Sequence, residues 1–421
     1  MKPGNGNPGP LMLLRPLSGN KRLLRAAEGL YHGLHVPVTV ADFMADFVLE
    51  TDKPFIADPS TYLFVLRPEQ LRDPETRAIR PVHRKLAVGF GAPFENVLGR
   101  RALTVADFPE TGTAADEAVQ RVLAHQKSKF AGQMNLPLDP YYSKYLLYAD
   151  QAPTDAAPPP TGPAYLIPPY FPFRGVDDPW YALNLRLAER ALDVRAEGEP
   201  VAPTIHVTAK ALEDAGTVSR VAEDYRARAF DAFFLWVNDL PEERATALRL
   251  RGLMHLVRGL SADGRRVFKL YGGYFSMLLF AQGLSGFTCG LGQGAWKNSY
   301  AYGPGGGGKP KPKFYVGPLH RSLEIVDAER LLREHESLRC ACKTCQEVYG
   351  SNFDRFAEMG GDGHCEEHFL YARRAEARAI LDGGVDACLS GLAGTVREFG
   401  DMNPLVLVNS LRTWREVLTE A

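Results

Sequence analysis

Three cysteines stand within six residues, as Cys340-Ala-Cys342-Lys-Thr-Cys345. At that spacing one tight loop can direct three thiolates at a single tetrahedral cation, and Zn2+ is the ion such a set holds best. Disulfides between such near neighbours are geometrically disfavoured. The plainer alternative, three unliganded thiols on a surface loop, would leave reactive groups exposed. A fourth ligand is needed to close the site. His368 opens a helix-like run after twenty-two intervening residues, so its imidazole can reach back from a first helical turn; His364 and Cys365 compete for the role. Four protein ligands leave no position for water, so this metal holds a subdomain together and performs no chemistry.

The elements that must position such groups are legible as a rhythm of short apolar runs and helical stretches. Strands are expected at 11–14, 54–57, 164–167, 204–208, 230–237, 267–271 and 286–290, with helices such as 180–196, 219–229 and 241–259 between them. Alternation of this kind is that of a parallel sheet with crossover helices, and the chain is read as an α/β protein: a TIM-type (β/α)8 barrel with a C-terminal zinc-binding subdomain. A doubly wound open sheet is the alternative. Residues 85–160 break the rhythm and end in a proline-rich connection, so they are taken as an insertion into a barrel spanning 1–302. The Gly/Pro run that follows opens a second part, 303–421, made of linker, zinc-binding subdomain and C-terminal helices.

The chain has 45% hydrophobic and 24% charged residues, the composition of a globular protein with a large core. Lys and Arg number 49 against 50 Asp and Glu, so contact with a polyanion would have to come from local basic patches. No run of about eighteen apolar residues occurs and the first residues lack a signal-peptide core, which points to a cytoplasmic protein with no membrane contact.

The metal motif, its place after the last expected strand and the helix begun by His368 together resemble the tRNA-guanine transglycosylase superfamily, whose DNA-directed branch inserts 7-deazaguanine bases; a remote or DNA-directed branch is the better fit. A second stretch, Pro54-Phe-Ile-Ala-Asp58-Pro-Ser-Thr-Tyr62, is similar to the family's strand ending in an Asp followed four positions later by an aromatic. The resemblance implies that Asp58 contacts the base and takes part in catalysis, and that Tyr62 stacks on it. Read without it, Asp58 caps a turn before Pro59 and Tyr62 is core. A third stretch, 267–276 with 286–290, resembles the family's seventh strand, crossover helix and eighth strand. There the chain departs from the pattern, because 287–294 holds no carboxylate where the family has its nucleophilic Asp. Asp239, at the C-terminal end of another expected strand, is the substitute, with Asn238 beside it as a base-edge group. Its plainer role is to cap a helix starting at Pro241.

Base exchange at a glycosidic carbon passes through an oxocarbenium-like centre, which one carboxylate stabilises or traps while a second manages protons or the leaving base. Asp58 and Asp239 are the expected pair. Gly272, Gly273, Gly290 and Gly292 would let the flipped base approach the backbone, unless they are simple turn residues. Cys289 is read as buried filler. Lys309, Lys311 and Lys313 on the Gly/Pro loop, Arg373, Arg374 and Arg378 after His368, and the cluster Arg77, Arg80, His83, Arg84 and Lys85 are candidate phosphate contacts or plain solvated faces. The expected function is exchange of guanine in DNA or tRNA for a 7-deazaguanine derivative, with one structural Zn2+. The alternatives are a catalytically silent nucleic-acid-binding homologue or partner subunit, and a hydrolytic N-glycosidase of the same fold. The tRNA-type relatives often dimerise, so a homodimer is an expectation of the resemblance.

Overall fold

A computed structural model describes residues 10–16, 18–51, 53–130, 162–291, 295–301, 311–361, 363–400 and 408–420. Seven parallel strands form one curved, half-barrel sheet: β1 (Leu11–Leu14), β2 (Gly33–Pro37), β3 (Phe55–Asp58), β4 (Thr204–Thr208), β5 (Ala232–Asn238), β6 (Arg266–Leu270) and β7 (Leu284–Cys289). Their spatial order is β3-β2-β1-β7-β6-β5-β4, so the first strand pairs with the second on one side and with the seventh on the other. This is sequence order read around a ring and cut between β3 and β4, not the order of a doubly wound sheet.

Residues 164–173 lie across that cut. The Ala164 N–H donates to Phe55 O of β3 at 2.7 Å, while Leu166 and Phe173 exchange backbone hydrogen bonds of 2.8–3.1 Å with Pro200, Ala202, His206 and Thr208 on the β4 side. Only isolated bridges result, Leu166 with Val201 and Phe173 with Val207. The expected strand at 164–167 is therefore not a regular one. Its continuation, Pro168, Pro169 and Pro172, has no N–H to give to a ladder.

Strand β2 was not expected. It reads Gly33-Leu-His-Val-Pro37, with a strand breaker at each end and a histidine in the middle, yet every residue in it is buried. By contrast β5 reads as an unbroken apolar run because it is buried on both faces, as interior parallel strands are. Helices α1 (Lys21–Ala26), α2 (Val38–Glu50), α3 (Pro81–Phe90), α4 (Phe94–Val97), α5 (Ala114–Ser128), α6 (Pro179–Val194), α7 (Ala215–Arg226), α8 (Ala247–Ser261) and the short α9 (Tyr274–Leu278) surround the sheet. Side chains that suit helix starts set their limits: Asp178 accepts from Trp180 N ahead of Pro179, and Asp214 accepts from Gly216 N and Thr217 N. The helix expected from Pro241 begins later. A 3-10 turn, Glu242–Arg244, comes first, and α8 follows under a Thr246 cap.

Within the expected insertion, α3, α4 and α5 pack through Phe64, Phe90 and Phe94 and through Phe130 against Phe55 of β3, so the described part of it belongs to the main core. Its proline-rich end lies outside the described residues. The second part holds the antiparallel pair β8 (Lys313–Val316) and β9 (Arg321–Glu324), then α10 (Ile325–Glu334), α11 (Lys343–Val348) and α12 (His364–Phe399). The last helix, α13 (Asn409–Thr419), returns to the main body, where Trp414 Nε1 donates to Glu242 O at 3.0 Å and Glu416 pairs with Arg251 of α8. Among the described residues one helix, α12, is long and apolar enough by length and composition to cross a membrane. It is broken at Gly384 (φ 72°), and its first half buries His368, Arg373 and Glu376 inside the protein.

Candidate active site and metal centre

Cys340, Cys342, Cys345 and His368 converge, with all four ligand atoms within 4.8 Å of one another. His368 Nδ1 lies 3.4 Å from Cys342 Sγ and 3.3 Å from Cys345 Sγ. Its other nitrogen, Nε2, is 2.7 Å from the Tyr315 carbonyl of β8, which can only accept, so Nε2 carries the proton and Nδ1 keeps a free lone pair. Phe314 stacks on the imidazole at 4.1 Å and 8°. A tetrahedral zinc with Zn–S bonds of about 2.3 Å needs ligand atoms roughly 3.5–3.8 Å apart, and the two separations from His368 Nδ1 lie near that range. The four residues could thus hold a metal ion, and the donor set is compatible with zinc. Cys365, one of the competing ligands, is buried elsewhere, and burial pushes its thiol up to about 12; His364 only starts α12.

The second cluster sits where the sheet strands end. Asp58, last residue of β3, is fully buried and accepts from three donors: Tyr170 Oη at 2.7 Å, Ser60 N at 2.7 Å and His35 Nε2 at 3.3 Å. Burial alone would raise this carboxyl, but the hydrogen bonds from His35, Tyr170 and Ser60 outweigh it and hold it down to about 2. Burial keeps His35 neutral, helped by the nearby Arg15 and Lys297 charges. With Nε2–H given to Asp58, Nδ1 must accept, and the Thr288 hydroxyl of β7 lies 3.3 Å from it. Thr288 Oγ1 in turn accepts from Tyr271 N at 3.0 Å.

Around this carboxylate the strand registers assemble an aromatic box. His206 is opposite Trp236 in the β4–β5 pairing, and the two rings stack at 3.9 Å and 10°. Tyr62 meets the Trp236 face edge-on at 4.8 Å, Tyr170 lies 6.2 Å from Tyr62, and Tyr271 lies 4.9 Å from Trp236. Into the box points Lys297, from the loop after β7. Its Nζ is 2.5 Å from Tyr62 Oη and 3.4 Å from Tyr271 Oη. The buried Arg15 guanidinium faces the Tyr271 ring at 5.6 Å. One carboxylate cannot offset two cations here, and burial together with Arg15 pushes Lys297 down to about 7. Ser60, Asp239 and Tyr271, at the ends of β3, β5 and β6, all hold φ of 53–57°, a strained left-handed backbone for side chains of this kind.

Asp58 and Tyr62 thus lie in one cluster, each against Tyr170. The other expected site residues are placed differently. The Asp239 side chain is exposed and its N–H is used on Lys297 O. Asn238 Oδ1 accepts from Ser299 N at 2.6 Å and so anchors the 295–301 loop. A Cβ at Gly272 would lie 2.8 Å from Ser276 Cβ, and one at Gly273 2.7 Å from Glu242 Oε2; both glycines serve the packing of the β6–α9 turn. Gly290 follows β7, half-buried, while Gly292 lies outside the described residues. Burial pushes Cys289 up to about 11, in keeping with a filler.

Of the basic groups, Arg373 is fully buried against Glu376 (2.8 Å) and His83 is buried on Leu71 O, so neither faces a phosphate. Lys313 belongs to β8 rather than to a loop; Lys311 is exposed, and Lys309 is outside the described residues. Lys85 pairs with Asp42, Arg378 with Asp382, and Arg374 meets the His32 ring at 2.9 Å. Arg77 and Arg84 are exposed, and Arg80 is half-buried. The sequence reading missed Arg15, His35, Tyr170, His206 and Lys297. His35 and His206 had a signal: each is a polar residue set between two apolar ones at the middle of a buried strand.

No protein-family model and no curated protein matches the chain. The residues of the second cluster offer one buried carboxylate, held below its ordinary range by hydrogen bonds, in an aromatic centre with an amine nearby.

Proposed function

We propose that the chain is a base-exchanging N-glycosyl transferase of the transglycosylase kind, acting on guanine in DNA or tRNA and installing a 7-deazaguanine-type base. The observation that carries this reading is Asp58: a carboxylate fixed by three donors at the carboxyl end of a parallel strand and surrounded by Tyr62, Tyr170, Trp236 and Tyr271. A target base must leave its stack to be exchanged, and aromatic faces replace the stacking it loses. A held carboxylate would accept hydrogen bonds from the N–H edge of a guanine-type base. In this reading residues 164–173 take the place of a strand between β3 and β4, so that the sheet closes as an eight-membered (β/α) barrel whose active face is the carboxyl end of its strands. Zinc occupies the Cys3His site and orders the subdomain; thiolates kept reduced for a metal accord with a cytoplasmic location. A homodimer belongs to the same reading, by analogy only.

One observation favours a second reading. The end of β7, Thr288-Cys289-Gly290, offers a hydroxyl already committed to His35 and Tyr271 and no carboxylate, as a silent nucleic-acid-binding homologue would. Incubating the protein with labelled guanine or a 7-deazaguanine base and with DNA or tRNA separates the readings. Incorporation, lost in Asp58→Asn, is the expected result. Release of base without incorporation supports an N-glycosidase instead, and retention of nucleic acid with neither supports the binding protein.

A further inference from the structure

We propose that Lys297 is the nucleophile of this centre, its amine forming a covalent bond to C1′ of the sugar as the base departs. The inference rests on the base-exchange reading above and supplies the group that the end of β7 lacks.

Two lysines lie at the ends of the strands, Lys269 buried and Lys297 half-buried, and they differ in one respect. Lys269 of β6 is paired with Glu242 at 3.2 Å and donates to Tyr271 O at 2.7 Å, which accounts for its burial structurally. Among the described residues no carboxylate lies within ion-pair distance of Lys297. Its Nζ instead lies 4.9, 5.2 and 5.4 Å from the ring centres of Tyr62, Trp236 and Tyr271, with the Tyr62 hydroxyl its nearest polar neighbour. Ammonium groups drawn out of water are ordinarily matched by a carboxylate, so one packed among three aromatic rings in the same cluster as Asp58, without such a partner, calls for another reason to be there. The backbone holds it in place: Lys297 O accepts from Asp239 N at 3.0 Å and from Trp236 Nε1 at 3.5 Å, and Asn238 ties down Ser299. Those are the roles the structure gives to the end of β5. Burial and the Arg15 charge leave a substantial fraction of the amine unprotonated near neutral pH, the form with a lone pair to give.

The step balances without a redox partner. The Nζ lone pair forms the N–C1′ bond while the C1′–N bond to the base breaks, its electron pair leaving with the base. The proton shed by Nζ offsets the one taken up by the departing nitrogen, with Tyr62 Oη placed to pass it on. In the return step the N–H nitrogen of the incoming base attacks C1′, the amine leaves, and Nζ recovers its proton. Between these steps the glycosylamine can open, O4′ leaving as a hydroxyl with the amine proton, to give an imine at C1′. Borohydride reduces such an imine to a stable secondary amine.

The test uses the full-length protein, DNA and RNA hairpins with an unpaired guanine, labelled free guanine, and sodium borohydride. The expected result is a borohydride-dependent protein–nucleic-acid adduct mapping to Lys297 by peptide mass spectrometry. Adduct and exchange should both disappear in Lys297→Met and Lys297→Arg, with each variant shown folded by circular dichroism. In Lys297→Ala, added propylamine should restore base release. Exchange by the wild type without an adduct, an adduct on another residue, or wild-type exchange rates in Lys297→Met would each overturn this inference while leaving the base-exchange reading intact. No exchange, base release or adduct with either nucleic acid would overturn that reading and this inference with it.

Discussion

Placing an ammonium group in an apolar, carboxylate-poor environment is among the most unfavourable substitutions a core can carry, and a protein retains it only where the group is used. Lys297, pushed from 10.5 to about 7, is such a group. Its folded pKa is depressed, so the destabilisation is fully present below pH 7 and fades as pH rises toward 10.5, where the unfolded chain also loses the proton. A shift of this size corresponds to roughly 4–5 kcal/mol, less whatever the Tyr62 hydrogen bond and the ring contacts return. Lys297→Met should therefore raise stability by a few kcal/mol at pH 6, and the gap from wild type should narrow between pH 7 and pH 10. Denaturant melts across that range measure it; a variant less stable than wild type at pH 6 would mean the amine is a structural support. Asp58 and Tyr62 are singled out in the sequence only through the resemblance, whose pattern ends a strand in an Asp with an aromatic four positions later. Lys297 is not singled out: Trp296-Lys-Asn-Ser299 looks like any polar loop, and only the fold shows its amine packed against Tyr62, Trp236 and Tyr271.

The elements carry this centre through a chain of contacts that begins at the metal site. His368 of α12 fixes the Tyr315 carbonyl of β8; the Tyr315 hydroxyl donates to Glu376 at 2.7 Å; Glu376 pairs with the buried Arg373, whose guanidinium faces Phe287 of β7 at 5.5 Å. Phe287 precedes Thr288, which touches His35 and, through it, Asp58. If the Cys3His cluster holds a metal, removing it should loosen α11, the start of α12 and β8 first, and β7 only through Arg373. In the expected experiment, a chelator or His368→Ala lowers hydrogen-exchange protection across 313–316 and 343–380 while β5 keeps its own. Equal loss in β5 would mean that the subdomain and the sheet unfold as one unit. The three cysteines of the cluster are readable from their spacing and His368 from the helix-like run it opens, whereas β8 and the docking role of Arg373 are not. A buried arginine on a helix written with three arginines among six residues, 373–378, is indistinguishable from a solvated basic face until its partner is seen.

At the scale of the whole molecule, the question is how far the sheet closes on itself. Six of the seven expected strands fall within about two residues of observed ones at each end, because parallel strands buried on both faces write continuous apolar runs; β2 escaped because its glycine, histidine and proline suit a tight site rather than a propensity scale. The proline-rich stretch 164–173 is the decisive piece, since Tyr170 from it donates to Asp58 and is clamped to Thr61 Oγ1 by two hydrogen bonds of 2.8 Å. If this stretch completes a closed barrel, the N–H groups of Ala164, Leu166 and Phe173 that bridge β3 and β4 are interior hydrogen bonds. They should then exchange with solvent only through global unfolding, with the same opening free energy as Phe234 or Trp236 in β5. If it is a loop laid over an open edge, those three amides will exchange through local opening, orders of magnitude faster than β5. Residue-resolved native-state exchange in increasing denaturant separates the two, because only the closed arrangement makes the opening free energies of all these amides converge on one denaturant slope. Closure matters to the chemistry as well: an open edge would admit water beside Asp58, and a carboxylate in contact with bulk water loses much of the electrostatic strength that burial confers on it.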